Sequence, residues 1–215
     1  MSLNRETQTT APQPRKLDEI ILVVNRDHLF TKGEIQGFLP CNDFAEYETL
    51  ITQHQEFMPR GEAEVDTRYK QIIPYLVFKY KDRYFIMQRK STASEQRLKN
   101  KFSLGIGGHL RQADITSTSL AQWAVREFCE EIKYTGTYTT TPLGIINDDS
   151  NDVGKVHIGF AILLEGTSDQ ISIKSELKDG FLATLDECTA LYSSLESWSQ
   201  LVVTALQNTK TKELV

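Results

Sequence analysis

Residues 156–164 form an almost wholly apolar run, which constrains the fold more than any other feature of the sequence. A short apolar run rich in β-branched residues predicts a strand that is buried on both faces. Two further runs within residues 72–89 flank a tight polar turn at Lys81 and Asp82, and they predict a hairpin. An amphipathic stretch from about residue 185 to residue 207 predicts closing helix. The chain therefore combines strands and helices in an α/β fold.

The front of the chain has a different character from the rest. Residues 1–16 contain few apolar groups and no periodicity, which predicts a flexible tail. Residues 20–25 are a β-branched run typical of a strand, and apolar residues recur at helical spacing across residues 42–58. We therefore predict an N-terminal strand-and-helix extension over residues 17–70, packed on one domain that spans residues 71–215.

The charge balance excludes some classes of partner. The chain has 24 Lys and Arg residues against 29 Asp and Glu residues, for a net charge of −5 and a pI near 5.5. Nonspecific binding to nucleic acid is disfavoured, because it depends on a cationic surface that releases counterions. No apolar run approaches the roughly 18 residues that a membrane span needs. An acidic protein that handles phosphates needs a metal ion between the two anions.

The cysteines indicate the compartment. Cys41, Cys129 and Cys188 are widely spaced, odd in number and include no CxxC pair. This usage is typical of reduced thiols and not of a disulfide framework. The N-terminal segment lacks the apolar core of a secretory signal. We therefore expect a cytoplasmic protein.

The middle of the chain contains a helix with an unusual acidic face. A strand predicted at residues 102–106 ends at the pair Gly107 and Gly108, where missing side chains relieve steric limits on the backbone. A helix of about four turns is predicted within residues 117–134. Its start has the spacing of a capping box, in which the first residue is Ser119 and the partner three residues later is Gln122.

Glu127, Glu130 and Glu131 fall on one stripe of this helix. Carboxylates three and four residues apart repel one another, and only Arg126 and Lys133 nearby offset that repulsion. Magnesium and manganese ions prefer carboxylate oxygens, so this face predicts a divalent cation site. A solvated acidic face is the alternative, and three clustered glutamates alone would favour it. The surrounding sequence decides between the two.

Residues 108–134 begin with Gly108 and carry the run Arg-Glu-Phe-Cys-Glu-Glu at positions 126–131. This pattern resembles the signature of the Nudix hydrolases, GX5EX7REUXEEXGU, in which U is a bulky aliphatic or aromatic residue. The REUXEE core is matched at every position. Asp114 stands where the family has glutamate, eleven residues and not seven precede the arginine, and Lys133 replaces the final glycine. The four extra residues leave the spacing of the glutamates intact.

The resemblance implies a fold and an activity. The fold would be the family's α/β/α sandwich with a mixed sheet, and the order of the predicted strands is similar to it. Family members cleave a nucleoside diphosphate linked to another moiety, with Mg²⁺ or Mn²⁺ bridging the enzyme and the diphosphate. The implied partner is therefore a small nucleotide derivative and neither a nucleic acid duplex nor a membrane. Many relatives form homodimers, which makes a homodimer the oligomer to expect.

The resemblance also assigns roles to residues of this chain. Metal ligation falls to the box glutamates and a backbone carbonyl: Glu127, Glu130, Glu131 and Gly107 or Gly108. Arg126 and Glu130 are the implied catalytic residues, with Arg126 pairing with Glu130 one turn away. Gly108 and His109 are the implied substrate-binding residues beside the phosphates.

Two assignments are left open. The general base is either a residue of the box helix or a loop acid, and the loop candidates are Asp148, Asp149, Asp152 and Glu176. His157 projects from one face of its predicted strand, where it reaches either a pocket or the core. A hydrogen-bonded structural histidine is the commoner outcome for such a position.

Three alternative functions stand beside the hydrolase. A Nudix-like module that binds a nucleotide without cleaving it would explain Asp114, the insertion and Lys133, although retention of all three box glutamates argues against it. An isomerase of prenyl diphosphates shares this fold but needs a reactive cysteine facing the substrate, and Cys129 falls away from the glutamates. RNA decapping is disfavoured, because the sequence has no basic stretch that would bind RNA.

Overall fold

The computed structural model describes residues 16–89, 101–115, 117, 119–174 and 177–213, so the predicted tail lies outside the described residues apart from Lys16. The strands are β1 Ile20–Asn25, β2 Gly37–Pro40, β3 Gln55–Pro59, β4 Tyr69–Tyr80, β5 Arg83–Arg89, β6 Phe102–Ser103, β7 Gly105–Gly107, β8 Ile132–Tyr134, β9 Tyr138–Asn147, β10 His157–Gly166, β11 Ile171–Ile173 and β12 Leu177–Thr184. The helices are α1 Arg26–Leu29, α2 Phe44–His54, α3 Arg60–Ala63, α4 Leu120–Trp123, α5 Val125–Glu131, α6 Asp152–Val156, α7 Leu185–Ala190 and α8 Ser197–Glu213.

A mixed sheet organises the described part of the chain. Its main path runs β12, β5, β4, β10, β9, β2, and β4 and β10 are parallel at its centre. The neighbouring pairs are antiparallel, including the predicted hairpin of β4 and β5. Lys81 in the hairpin turn has a φ of 54°, the left-handed conformation that tight turns require. Strands β8 and β11 form a separate antiparallel pair.

Strand β10 is buried along eight consecutive residues, as the apolar run predicts. Its side chains alternate between two cores: Phe160 and Ile162 lie in one, and Ala161 and Leu163 lie in the other. Because successive side chains of a strand point to opposite faces, helices must cover the sheet on both sides. The predicted α/β sandwich is confirmed.

Different helices close the two cores. The first core takes its helical contribution from α2, α4 and α5, through residues such as Ile51, Trp123 and Phe128. The second core takes its contribution from α7 and α8, through Cys188 and Val202 among others. None of the helices in the described part of the chain is long and apolar enough to cross a membrane.

The predicted helix over residues 42–58 is wrong at its C-terminal end. Helix α2 ends at His54, and Gln55–Pro59 is strand β3, which pairs antiparallel with β1. Pro59 favours this outcome, because the residue before a proline is biased to extended backbone. Phe57 and Met58 pack against different cores, as neighbours in a strand do.

The N-terminal strands join the sheet of the remaining chain. Strand β1 pairs with β4 as well as with β3, and strand β2 pairs antiparallel with β9. Leu22 donates its backbone N–H to the carbonyl of Leu110 at 2.8 Å, which ties β1 to the loop after β7. Residues from the front of the chain therefore lie close to the loop that follows the glycine pair.

The predicted four-turn helix is two helices and a strand. Helices α4 and α5 meet at the buried residue Ala124, and the chain then extends into strand β8. Ser119 makes no side-chain capping hydrogen bond, so the predicted capping box is not formed. The backbone N–H of Leu120 instead donates to Glu48 Oε1 of α2 at 2.9 Å. A tertiary contact has replaced the local cap.

The predicted strand at residues 102–106 is split between two partners, since β6 pairs with β5 and β7 pairs with β4. Tyr75 fixes the course of β7. A Cβ added at Gly105 would lie 2.2 Å from the Tyr75 ring, and the Gly105 N–H donates to the Tyr75 hydroxyl at 3.1 Å. Strand β7 therefore delivers Gly107 and Gly108 to a fixed position beside α5.

Candidate active site

Gly108 allows helix α5 to approach the loop that follows β7. A Cβ at this position would lie 2.1 Å from Cδ and 2.2 Å from Oε2 of Glu127, well inside any tolerable contact. The Glu127 carboxylate thus lies directly against the backbone of Gly108. Glycine is needed here for close approach, so the glycine and the first box glutamate depend on each other.

Arg126 is the centre of the polar network at this site. Its Nε donates to Asp114 Oδ1 at 2.7 Å and its Nη2 to Asp114 Oδ2 at 2.9 Å, which is a bidentate pair. Its Nη1 donates to Glu130 Oε2 at 2.9 Å, and its Nη2 lies 2.8 Å from Glu127 Oε1. Its Nη2 also donates to the backbone carbonyl of His109 at 2.9 Å. One guanidinium therefore joins two box carboxylates to the preceding loop.

Asp114 holds this guanidinium in place. It lies in the 3₁₀ turn Gln112–Asp114 with a side chain only 6% exposed, and it accepts the backbone N–H of Arg111 at 2.8 Å. Burial raises the pKa of its carboxyl, but the hydrogen bonds from Arg126 and Arg111 outweigh burial and the net pKa is lowered. Asp114 is thus an ionised partner of Arg126. Residues 116 and 118 of the predicted insertion lie outside the described residues.

The box glutamates differ in exposure. The Glu127 side chain is 14% exposed and that of Glu130 is 50% exposed, while Glu131 is partly buried. Burial raises the pKa of Glu127, Arg126 opposes this effect, and the nearby charge of Glu130 adds to it. A desolvated carboxylate with a second carboxylate nearby supplies the oxygen donors that a hard divalent cation prefers. The residues present therefore fit the metal that the resemblance implies.

The loop acids differ in how strongly they are engaged. Asp149 accepts Lys70 Nζ at 2.6 Å and Arg26 Nη2 at 2.6 Å. Burial raises the pKa of Asp149, but these hydrogen bonds outweigh it and lower the net pKa, which makes Asp149 a poor proton acceptor. Asp152 is 97% exposed and pairs with Lys155. Asp148 accepts hydrogen bonds from Gln36 and Asn151. Glu176 lies outside the described residues.

His109 and His157 meet beside the glycine loop. Their Nε2 atoms are 3.3 Å apart, and His109 Nε2 is also 2.6 Å from Oε1 of the buried Gln71. The His157 Nδ1 lies 2.7 Å from the carbonyl of Val153. Glu64, at the end of α3, has a carboxylate oxygen within 4.8 Å of a nitrogen of each histidine. In the described part of the chain, the box glutamates do not form such a set of three.

The three cysteines differ in exposure, and burial makes Cys188 unreactive. Cys41 and Cys129 are exposed, and Cys188 is buried in the core between the sheet, α7 and α8. Burial raises the pKa of the Cys188 thiol to about 12, so this thiol is protonated and unreactive at neutral pH.

Sequence reasoning missed three contributors. The bidentate role of Asp114 was missed, because a loop separates it from Arg126 and the spacing of the two residues does not predict the contact. Glu64 and Lys70 gave no signal either, since His109 lies 45 residues after Glu64 and Asp149 lies 79 residues after Lys70. Glu64 follows strand β3, which pairs with β1, and Lys70 lies on β4, whose Gln71 pairs with His157 of β10.

The comparisons with known proteins concern the family and the fold. No family model matches the sequence. Protein YmaB of Bacillus subtilis (strain 168) is 36% identical over 204 residues, which cover 89% of this chain and 99% of YmaB. The crystal structure of Tm1382, which is assigned to the Nudix hydrolases, is 31% identical, with a TM-score of 0.75 and coverage of 89% of this chain and 99% of Tm1382.

Two more distant structures share the fold alone. DR0079 from Deinococcus radiodurans is 12% identical, with a TM-score of 0.55 over 86% of this chain and 98% of its own. The Nudix domain of Shewanella oneidensis NrtR, solved with ADP-ribose, is 13% identical, with a TM-score of 0.51 over 65% of this chain and 88% of that domain.

Proposed function

This chain belongs to the Nudix hydrolase family, and we propose on that basis that it is a divalent-cation-dependent hydrolase that cleaves the diphosphate linkage of a nucleoside diphosphate derivative. The observation that carries the proposal is the Arg126 network. It orients the carboxylates of Glu127 and Glu130 at 2.8 and 2.9 Å and anchors them to the loop after the glycine pair. A merely solvated acidic face would not need such an anchor.

The residues that would hold the cation are those the family resemblance assigns: Glu127, Glu130, Glu131 and the carbonyl of Gly107. Mg²⁺ or Mn²⁺ bound there would neutralise phosphate oxygens and lower the pKa of an attacking water. Glu127 suits this role because its carboxylate is desolvated and faces Gly108, where nothing larger than a hydrogen atom fits. The chemistry also resolves a charge problem, since the protein has a net charge of −5 and its substrate is an anion.

Each catalytic side chain has a distinct task in this proposal. Arg126 fixes the rotamer of two box carboxylates, and Asp114 fixes Arg126 through both of its oxygens. Glu130 is the proposed proton acceptor for the attacking water, because half of its side chain is exposed and one oxygen is held by Arg126. Asp149 is unsuited to that task, since Lys70 and Arg26 hold its two oxygens.

Gly108 and His109 are the proposed contacts for the diphosphate. Gly108 leaves its backbone accessible to a ligand, and the His109 carbonyl is tied to Arg126 at 2.9 Å. The distantly related NrtR domain binds ADP-ribose, so a nucleoside diphosphate sugar is the substrate class to test first.

Hydrolysis of a nucleotide panel tests the proposal. Purified protein is incubated with Mg²⁺ or Mn²⁺ and nucleoside diphosphate derivatives, and products are separated chromatographically. The Glu127→Gln and Glu131→Gln variants should lose at least about 100-fold in kcat, because metal-assisted charge stabilisation is worth several kcal/mol. Glu62→Gln, an exposed position on α3, is the charge-matched control and should keep wild-type activity. Absence of cation-dependent turnover on every diphosphate would refute the hydrolase.

A binding module without turnover is the second candidate. It is favoured by one observation, namely that the carboxylate at the family's glutamate position, Asp114, is held by Arg126. The two candidates differ in a calorimetric titration with the same nucleotides. Tight binding that persists in a chelator, without hydrolysis, would support the module, whereas binding that needs the cation supports the hydrolase.

A further inference from the structure

Three potential metal ligands from distant parts of the chain converge outside the acidic face of α5. Glu64 follows α3, His109 follows the glycine pair, and His157 begins β10. One ligand atom from each residue lies within 4.8 Å of the others. Glu64 and His109 are partly buried and His157 is buried, so the group is not a chance cluster of exposed side chains.

The spacing of the two imidazoles matches a coordination geometry. Tetrahedral zinc has Zn–N distances of about 2.0–2.1 Å, which separates two ligand nitrogens by roughly 3.3–3.4 Å. The Nε2 atoms of His109 and His157 are 3.3 Å apart. Gln71 Oε1 only accepts, so its 2.6 Å contact puts a proton on His109 Nε2 in the metal-free protein. A bound ion would replace that proton and this contact without a change in the distance between the two nitrogens.

The surroundings of His157 fix its tautomer. Because a carbonyl oxygen only accepts, the 2.7 Å contact with Val153 requires a proton on Nδ1. The neutral ring then carries its lone pair on Nε2, the atom that faces His109. A histidine that donates its other ring N–H to a backbone carbonyl is the usual arrangement of a metal ligand.

A neighbouring side chain gives an independent sign that a ligand is expected. Gln71 is fully buried and lies 2.6 Å from His109 Nε2 through Oε1. Its Nε2 has no hydrogen-bond partner among the described residues. A buried amide hydrogen without an acceptor is costly, so this end of the cluster has capacity for an oxygen ligand.

We propose that Glu64, His109 and His157 form a binding site for a transition metal ion of the zinc class, separate from the carboxylates of α5. Two imidazoles and one carboxylate select zinc-like ions, whereas magnesium prefers oxygen ligands alone. Three protein ligands leave a fourth position for water or a substrate oxygen. The ion would join α3, the glycine loop and β10, and through the His109 carbonyl it would help to position Arg126.

Cobalt spectroscopy on the full-length protein tests the proposal without any substrate. Metal-free protein is titrated with Co²⁺, and the strong visible absorption of tetrahedral Co²⁺ should saturate near one equivalent. Zn²⁺ should displace it. Glu64→Gln and His109→Ala should each weaken Co²⁺ binding by at least about tenfold, because even outer-shell partners of a metal contribute 10- to 100-fold. The matched control Glu62→Gln should bind Co²⁺ as the wild type does.

Further variants separate this site from the proposed hydrolytic one. Glu127→Gln and Glu130→Gln should retain the tetrahedral Co²⁺ spectrum, whether or not the protein hydrolyses any diphosphate. Circular dichroism checks that each variant is folded. Three results would overturn the site: no tetrahedral spectrum, a spectrum that survives both Glu64→Gln and His109→Ala, or a spectrum lost in the two α5 variants.

Discussion

Gly108 shows how a single residue decides whether the site can form. Its Cα lies so close to Glu127 that a methyl group would overlap the carboxylate. The signature therefore sets a steric requirement as well as a chemical one. The glutamate needs a glycine beside it, because the two residues are in direct contact.

Replacing Gly108 with alanine should impair activity more than stability. The new Cβ would lie 2.1 Å from Glu127 Cδ, so the carboxylate must move. Misplacement of a catalytic group by about 1 Å can cost about 100-fold in rate, and we expect a loss of that size in kcat. The free energy of unfolding, measured by urea denaturation, should fall by no more than about 2 kcal/mol. Wild-type kcat in a folded Gly108→Ala variant would contradict this account.

At the scale of single residues the sequence predicted the contact that helical spacing sets. The pairing of Arg126 with Glu130 one turn away follows from that spacing. The bond between Arg126 and Asp114 does not follow from spacing, because the two residues are joined by a loop of variable length. Contacts of His109 with Gln71 and His157 depend on the sheet and were not foreseen.

Secondary-structure elements were predicted where their own residues determine them. Strand β10 and the β4–β5 hairpin match their apolar patterns, because burial in the sheet and the local pattern agree. The break in the box helix at Ala124 and the strand Gln55–Pro59 were missed. Both are set by packing partners from other parts of the chain, and a single-sequence pattern does not contain them.

The N-terminus of α4 offers a test of such tertiary control. Glu48 accepts the backbone N–H of Leu120 at 2.9 Å, in place of the predicted Ser119 cap. Glu48→Ala should lower the free energy of unfolding by about 1 kcal/mol, the usual value of a helix cap. Ser119→Ala is the matched control and should change it by less than about 0.5 kcal/mol. Equal effects of the two substitutions in urea denaturation would argue for a local cap after all.

At the scale of the whole molecule, one buried ion pair joins three segments. Lys70 of β4 is fully buried and donates to Asp149 at 2.6 Å and to the Gly154 carbonyl at 2.7 Å, while Arg26 of α1 holds the other Asp149 oxygen. Burial lowers the pKa of Lys70 to about 8, and the contact with Asp149 opposes this effect. The buried charge of Lys70 is therefore stabilised only while Asp149 is paired with it.

Removing one partner should cost more than removing both. Asp149→Asn leaves the charge of Lys70 without its carboxylate and should lower the free energy of unfolding by about 3 kcal/mol at neutral pH. The double variant Lys70→Met with Asp149→Asn should recover most of that loss, because methionine fills a similar volume without a charge. Additive losses in urea denaturation would rule out this coupling.

The same pair predicts a pH dependence. The folded pKa of Asp149 lies below its ordinary value of 3.8, so Asp149 stabilises the fold above that value and loses this contribution as the pH falls through the folded pKa. Below about pH 4, the stability difference between wild type and Asp149→Asn should shrink as the pH falls through the folded pKa of Asp149. A difference that grows in acid would contradict the assigned direction.

The overall architecture was largely predictable, whereas the junction of the front segment with the sheet was not. Burial of both faces of β10 predicts helices on both sides of the sheet, and the sandwich follows from it. The pairing of β1 with β4 and of β2 with β9 joins distant stretches of chain and has no local signature.

The central claim is that the glutamates of α5 bind cations which in turn bind linked phosphoryl groups. Manganese binding followed by electron paramagnetic resonance, with and without a nonhydrolysable nucleoside diphosphate sugar, tests it most directly. The measurement is made on the Glu64→Gln variant, so that Mn²⁺ does not bind at the proposed site of Glu64, His109 and His157. In this variant the analogue should tighten Mn²⁺ binding at least about tenfold, and adding Glu127→Gln should abolish that effect. Mn²⁺ binding that is absent, or that is indifferent to both the analogue and Glu127→Gln, would contradict the account.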